Sequence, residues 1–364
     1  MEITPNINAI SHIPASHGGI FSIKNPNEKI IDFSSNVNPL GCHPGVKKYL
    51  KKQLNQINVY PDSESTKLRS NLKWFTGINK SQILVGNGAT EIIYNFCSTF
   101  VNKKSKVLIP CPTFSEYEKA VKFFGGKIIN FKSLNFNEDL EKFLAKIPTK
   151  GIVFFCNPNN PTGEILSKKN MEQIIKTAEK KSTLVFVDET FIELVPNSFP
   201  SLVKTIKSHE NLFILRSFTK SFGLAGLRIG YALGSKKIIG ILQRIKIPWN
   251  VNYVAQTAAS AALCYSDFLE KSRKNIKKEN LFLMNSLSKL KWLSCFNSST
   301  NFILIKTKIN SKILQKKLLK KNILVRDCST FCGLNENYIR IAIKNRKENQ
   351  ILVKALGEIK WSNH

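Results

Sequence analysis

The sequence predicts an α/β protein: a mostly parallel sheet of seven strands covered by helices, followed by a smaller α+β domain. Three observations predict it. Short apolar runs recur at residues 82–85, 106–109, 127–129, 152–155, 183–187, 212–215 and 229–233. They are continuous rather than alternating, as expected of strands buried on both faces. Amphipathic stretches at 90–101, 115–124, 137–144 and 167–180 fall between them, and strand–helix alternation of this kind is how parallel sheets are built. Beyond Pro248 the pattern changes. A long helical stretch at 253–290 is followed by strand candidates at 301–305, 323–326 and 338–343 and by helices near 311–321 and 346–359.

Taken in order, the first 30 or so residues show no strong periodicity and read as an arm. The expected organisation is an arm at 1–35 that contributes to the active site, a large domain at 36–250 and a small C-terminal domain at 251–364. Residues 1–8 hold no basic head followed by an apolar core, so no secretion signal is expected and the expected location is the cytoplasm. No stretch reaches the length of an apolar membrane span.

The formal net charge of +30 is large enough to raise the question of a nucleic-acid partner. The basic residues are spread along the chain, however, and nowhere concentrate with interleaved aromatics. A lysine-heavy surface is the expected reading, with no nucleic-acid or membrane partner, and such a surface still attracts small anions. Eight cysteines occur without a companion set of metal-ligand spacing. Reduced thiols and no metal site are expected.

Four segments carry chemistry. Gly86-Asn87-Gly88-Ala89-Thr90-Glu91 follows a strand and opens a helix; glycines admit close approach of a ligand, and first-turn amides hold phosphate. A dinucleotide fingerprint is ruled out because its third glycine is Glu91 here. Asn157-Pro158-Asn159-Asn160-Pro161-Thr162-Gly163 follows another strand and presents side-chain amides at fixed positions. Asp188-Glu189 closes the run 184–187, where a carboxylate at a strand's carboxyl end faces the ligand crevice. Lys220 lies three residues after Ser217 and eight before Arg228. A lysine amine can form a Schiff base with a carbonyl cofactor, and serine and arginine can hold that cofactor's phosphate.

In this order, the four segments resemble the fold-type-I pyridoxal-phosphate enzymes of the aminotransferase class I and II superfamily, over nearly the whole chain. The resemblance implies the aspartate aminotransferase-like fold and pyridoxal 5'-phosphate as cofactor. It implies Lys220 as the lysine that binds the cofactor and Asp188 as the carboxylate on its ring nitrogen. Asn160 matches the amide near the ring hydroxyl, and Phe114 the aromatic stacked on the ring. Ala89, Thr90, Ser217 and Arg228 match the phosphate cradle. Tyr60 matches a tyrosine that reaches the neighbouring subunit's cofactor phosphate, which implies a homodimer with shared sites. One departure stands out: many members carry a tyrosine three residues after the aspartate, where this chain has Phe191, which cannot donate a hydrogen bond.

Within the superfamily, two groups that act on phosphorylated amines stand out: histidinol-phosphate aminotransferases and the threonine-phosphate decarboxylases of cobalamin biosynthesis. His17-Gly18-Gly19, Phe191 and Val325-Arg326-Asp327-Cys328-Ser329-Thr330-Phe331 resemble the decarboxylases. The resemblance implies Arg340 on the substrate carboxylate, Arg326 on its phosphate, and His17, Gly18, Gly19, Asn38 and Asn160 completing the substrate site. The expected reaction is decarboxylation of O-phospho-L-threonine, with aminotransfer to or from histidinol phosphate as the alternative.

Overall fold

In the computed structural model, residues 6–196 and 201–359 are described. The outer ends of the expected arm and small domain, 1–5 and 360–364, lie outside them.

The seven expected strands form one sheet. They are β1 (Ile83–Gly86), β2 (Lys106–Cys111), β3 (Lys127–Lys132), β4 (Ile152–Cys156), β5 (Leu184–Asp188), β6 (Leu212–Ser217) and β7 (Gly230–Gly234), in the spatial order β1-β7-β6-β5-β4-β2-β3. Only β7 runs against its neighbours; the remaining pairings are parallel. The continuous apolar runs are explained by burial on both faces. Val185, Val187 and Ile214 pack into one core with Met171 and Ile174 of the helix Lys168–Lys180. Phe154, Phe186 and Phe213 pack on the other face against Phe96 and Tyr117.

This topology delivers the four chemical segments to one edge. β4, β5 and β6 end at Cys156, Asp188 and Ser217, so the loops that follow them leave from the carboxyl end of the sheet. β7 runs the other way and begins there, with Gly230 paired to both Ser217 and Gly86. That is where open α/β sheets bind ligands.

A second sheet, antiparallel throughout, comprises β8 (Leu293–Cys295), β9 (Phe302–Thr307), β10 (Arg326–Asp327) and β11 (Tyr338–Ala342) in the order β10-β11-β9-β8. The strand expected at 323–326 is in fact two. Ile323–Leu324 pairs in parallel with Ile31–Asp32 at the end of the arm, and the chain then crosses to β10. The helix expected at 253–290 breaks into Tyr253–Leu263 and Asp267–Leu287. Tyr265, in the break, stacks on His43 with ring centroids 3.9 Å apart. Asp267 and Glu270 fall in the first turn of the second helix, where acidic side chains favour a new N-terminus.

Candidate functional site

A cavity of about 270 Å³ opens at the carboxyl edge of the large sheet, walled on the far side by the arm and by β10 and β11. Lys220 lies within it, on the short helical turn Phe218–Ser221. Burial, with the positive fields of Arg340 and Arg228, lowers its amine from the usual lysine range to about 8. Such an amine has a far larger neutral, nucleophilic fraction near physiological pH than a solvated lysine.

Asp188 is buried at the end of β5. Its Oδ1 accepts the Thr190 amide (2.8 Å) and its Oδ2 accepts the Tyr117 hydroxyl (2.6 Å). Burial raises its pKa despite those bonds. A neighbouring cation would stabilise the charged form of such a carboxylate further. Phe114 presents its ring to the same space and meets Tyr117 edge-on, centroids 5.6 Å apart.

The helix Gly88–Phe100 starts at the cavity, with Ala89 and Thr90 in its first turn, so its unpaired amides and positive end face the cavity and could hold an anion. Gly88 has φ +83, and a Cβ there would come within 2.7 Å of an Arg228 guanidinium nitrogen. The glycine therefore lets Arg228 lie against the start of the helix. Ser217 and Arg228 complete the cluster.

The opposite wall carries two arginines. Arg326 on β10 and Arg340 on β11 are directly opposed cross-strand partners, and both are buried. Arg340 donates to Asn160 Oδ1 and to the Ser34 carbonyl (2.8 Å), while its buried Nε has no partner. Burial lowers its pKa to about 10, with Arg326 contributing to the fall, so it remains a cation at neutral pH. Arg326 donates to the Ser16 carbonyl of the arm (2.5 Å) and lies over the Phe331 ring, 5.6 Å from its centroid. Neither forms an ion pair among the described residues. Like charges placed opposite each other across a ladder repel. Buried and without an ion pair among the described residues, the two guanidinium groups could hold an anion.

His17 enters the cavity from the arm, its Nε2 2.5 Å from Glu116 Oε1. Gly18 also lines it, packed so closely on Ser34 that a Cβ would fall 2.8 Å from the Ser34 carbonyl oxygen. Phe191 lines the cavity through its ring, edge-on to Phe302 at 5.1 Å.

Two residues expected on the substrate, Asn38 and Gly19, are placed elsewhere, and Tyr60, expected to serve a neighbouring subunit, lies away from this cavity. The Asn38 amide is fully engaged behind the Lys220 turn, donating to the Ser221 carbonyl and Ser272 Oγ, both at 2.8 Å, and accepting from the Leu40 amide. Asn36, two residues earlier, lines the cavity instead and has an unpartnered Oδ1. The Gly19 amide is spent on Ser34 Oγ (2.7 Å) and is not free for an anion. Tyr60 is 78% exposed, tilted on Trp249 at 4.8 Å, and lines a separate cavity. Sequence reasoning missed Tyr117, Glu116 and Ser34. Tyr117 lies three residues after Phe114 at the start of a helix, a spacing that puts two side chains on one face.

These groups fit pyridoxal 5'-phosphate: an amine of lowered pKa for its aldehyde, a buried carboxylate for its ring nitrogen, an aromatic face, and a helix start with Arg228 for its phosphate. Comparison with known proteins agrees. The sequence model of aminotransferase class I and II matches residues 28–356. A histidinol-phosphate aminotransferase of Methanococcus aeolicus is 37% identical, over 92% of this chain and 91% of that protein. The crystal structure of the histidinol-phosphate aminotransferase from Clostridium acetobutylicum superposes with a TM-score of 0.83 at 34% identity, covering 90% of this chain and 98% of the other. That of L-threonine-O-3-phosphate decarboxylase from Porphyromonas gingivalis gives 0.82 at 29% identity, with the same coverage. The protein therefore has the aspartate aminotransferase-like fold and belongs to the aminotransferase class I and II family, whose cofactor is pyridoxal 5'-phosphate.

Proposed function

We propose that this enzyme decarboxylates O-phospho-L-threonine to (R)-1-aminopropan-2-yl phosphate. The observation that carries the reading is the opposed pair Arg326 and Arg340, two buried guanidinium groups on one wall without a carboxylate between them. A substrate with an anion at each end satisfies both.

In this reading Lys220 binds the cofactor, Asp188 meets its ring nitrogen, Phe114 stacks on its ring, Asn160 lies by its hydroxyl, and Ala89, Thr90, Ser217 and Arg228 hold its phosphate. Bound there, pyridoxal phosphate supplies an electron sink for the bond broken at the substrate's α-carbon. Arg340 grips the substrate carboxylate, with its unpartnered Nε as the free donor, since guanidinium binds carboxylate with defined direction. Arg326 and His17 take the phosphate, and the bond from Arg326 to Ser16 couples that anion to the arm. Clamping both ends fixes which bond at the α-carbon is presented for cleavage, so positioning selects the reaction. The Cα–carboxylate bond breaks, CO₂ leaves, and a proton passes from Lys220 Nζ to Cα. Phe191 offers no hydroxyl at the place where many aminotransferases have a tyrosine, which supports decarboxylation.

The competing reading is aminotransfer with histidinol phosphate, supported by the names of the Methanococcus and Clostridium relatives. Product analysis separates the two. Incubation with threonine phosphate releases CO₂ and aminopropanol phosphate if the proposal holds. Turnover of histidinol phosphate that depends on a keto acid, with no CO₂ from threonine phosphate, would replace it.

A homodimer with shared sites also belongs to this reading. Ile57, Val59, Tyr60, Ile247 and Trp249 are large apolar side chains left exposed in a single chain, and the segments that carry them meet where Tyr60 lies on Trp249. A second copy is the occupant that brings Tyr60 to a cofactor phosphate. The division into arm, large domain and small domain at 35 and 250, and a cytoplasmic setting, complete the proposal. No helix among the described residues is long and apolar enough to cross a membrane.

A further inference from the structure

Beneath the cavity floor lies a buried polar cluster that the proposed reaction does not use. Arg216 sits between two glutamates. Its Nε donates to Glu189 Oε2 (2.9 Å) and its Nη1 to Glu193 Oε1 (2.5 Å). All three side chains are buried. Glu189 is held further by the Leu202 amide (2.8 Å) and Ser201 Oγ (2.7 Å). Glu193 accepts from Ser221 Oγ through its second oxygen, at 2.8 Å.

The sequence positions of these residues give the cluster its meaning. Glu189 directly follows Asp188, Arg216 directly precedes Ser217, and Ser221 directly follows Lys220. In each pair one residue lines the cavity and its neighbour belongs to the buried cluster. The ends of β5 and β6 and the lysine turn are thus bracketed together from below. Asn38 closes the bracket from the other side: its amide nitrogen donates to the Lys220 carbonyl (3.0 Å) and its side chain to the Ser221 carbonyl (2.8 Å).

The charge on Lys220 is governed chiefly by burial and then by Arg340, Arg228 and Asp32, which lie outside the bracket. What the bracket fixes is therefore place. A buried network with its bonds made is rigid, and loss of one member leaves the others unsatisfied.

We propose that Glu193, acting through Ser221, is a positioning residue that fixes the Lys220 amine relative to Asp188. The inference rests on Lys220 being the cofactor lysine and goes beyond it, to what holds that lysine in register. Small displacements of a reacting group cost rate more than binding.

The test uses the full chain as Ser221→Ala and Glu193→Gln, with Lys220→Ala as control. Cofactor is added to the cofactor-free proteins. Attachment is followed by visible absorbance and, after borohydride reduction, by peptide mass at position 220. Ser221→Ala removes one oxygen atom from a fully buried site, so it decides the matter if Glu193→Gln fails to fold. Both variants are expected to attach the cofactor at least about fivefold more slowly, and to lose about tenfold or more in kcat with KM within about twofold. Attachment at the native rate in the folded protein, with only a lower melting temperature, reduces the bracket to a structural element and overturns the proposal. If the Lys220→Ala control keeps a reducible label, the cofactor assignment falls instead, whatever the bracket does.

Discussion

Lys220 shows how one residue acquires its chemistry from what surrounds it. Among the chain's many lysines it is the one on a buried turn facing two guanidinium groups, and that environment takes its amine to about 8. The sign follows directly: burial and neighbouring cations disfavour the charged form, so neutral amine accumulates as pH rises through about 8, well below the range of a solvated lysine. In cofactor-free protein, the acylation rate at position 220, read by peptide mass spectrometry, should rise with a midpoint near 8 while surface lysines follow well above it. A midpoint near 10.5 would show that the positive wall does not reach the amine. Tyr117 offers a second test. Its hydroxyl donates 2.6 Å to Asp188 from a fully buried position. A hydrogen bond to a charged acceptor is worth about 1.5–3 kcal/mol. Tyr117→Phe should therefore lower kcat by roughly tenfold or more with little change in fold, as checked by steady-state kinetics and circular dichroism.

At the level of elements, the proposed phosphate cradle depends on a helix that begins at a glycine. Gly88 takes φ +83 at the first position of Gly88–Phe100, with the Arg228 guanidinium where a Cβ would be. Arg228 itself has φ +54, uncommon for a residue with a side chain. Gly88→Ala adds a left-handed penalty of about 1–2 kcal/mol and pushes Arg228 outward. The expected result is weaker cofactor retention on dialysis, with the melting temperature lowered and kcat nearly restored by excess cofactor. The join between β10 and β11 works similarly. Their register puts Arg326 opposite Arg340, so one strand pair presents both of the groups proposed to bind the substrate's anions. Arg326→Ala and Arg340→Ala should each raise KM for threonine phosphate by about tenfold or more, the loss expected for a charged hydrogen-bonding partner.

For the molecule as a whole, the exposed apolar surface around Tyr60 and Trp249 is what a single chain leaves unburied. Contiguous patches of this kind mark association sites. Sedimentation should find a dimer at micromolar concentration, and Trp249→Asp should shift it to monomer and lower activity with it, because Tyr60 then has no partner cofactor to reach. A dimer that survives the aspartate would place the subunit contact elsewhere. The arm is also a matter for the whole molecule. Ser16 and His17 reach Arg326 on β10 and Glu116 on the helix Glu116–Phe123, elements far apart in sequence. The arm thereby ties the two sides of the cavity together.

The large sheet and its cofactor edge were legible in the order of amino acids alone. Strands buried on both faces must be apolar throughout, so 152–155 or 184–187 betray themselves locally, and the polar residues proposed to meet the cofactor lie close to their ends. Asp188 and Lys220 stand just after such runs, and Arg228 just before the last of them. Folding in three dimensions was needed for the opposition of Arg326 and Arg340, the placement of Asn38 at the back of the lysine turn rather than on the substrate, the splitting of 323–326 between two sheets, and the Arg216 bracket. Each depends on strand register or on contacts between residues far apart in the chain. Local pattern carries hydrophobicity and turn chemistry, whereas the partner of a buried polar group is fixed by how distant segments meet.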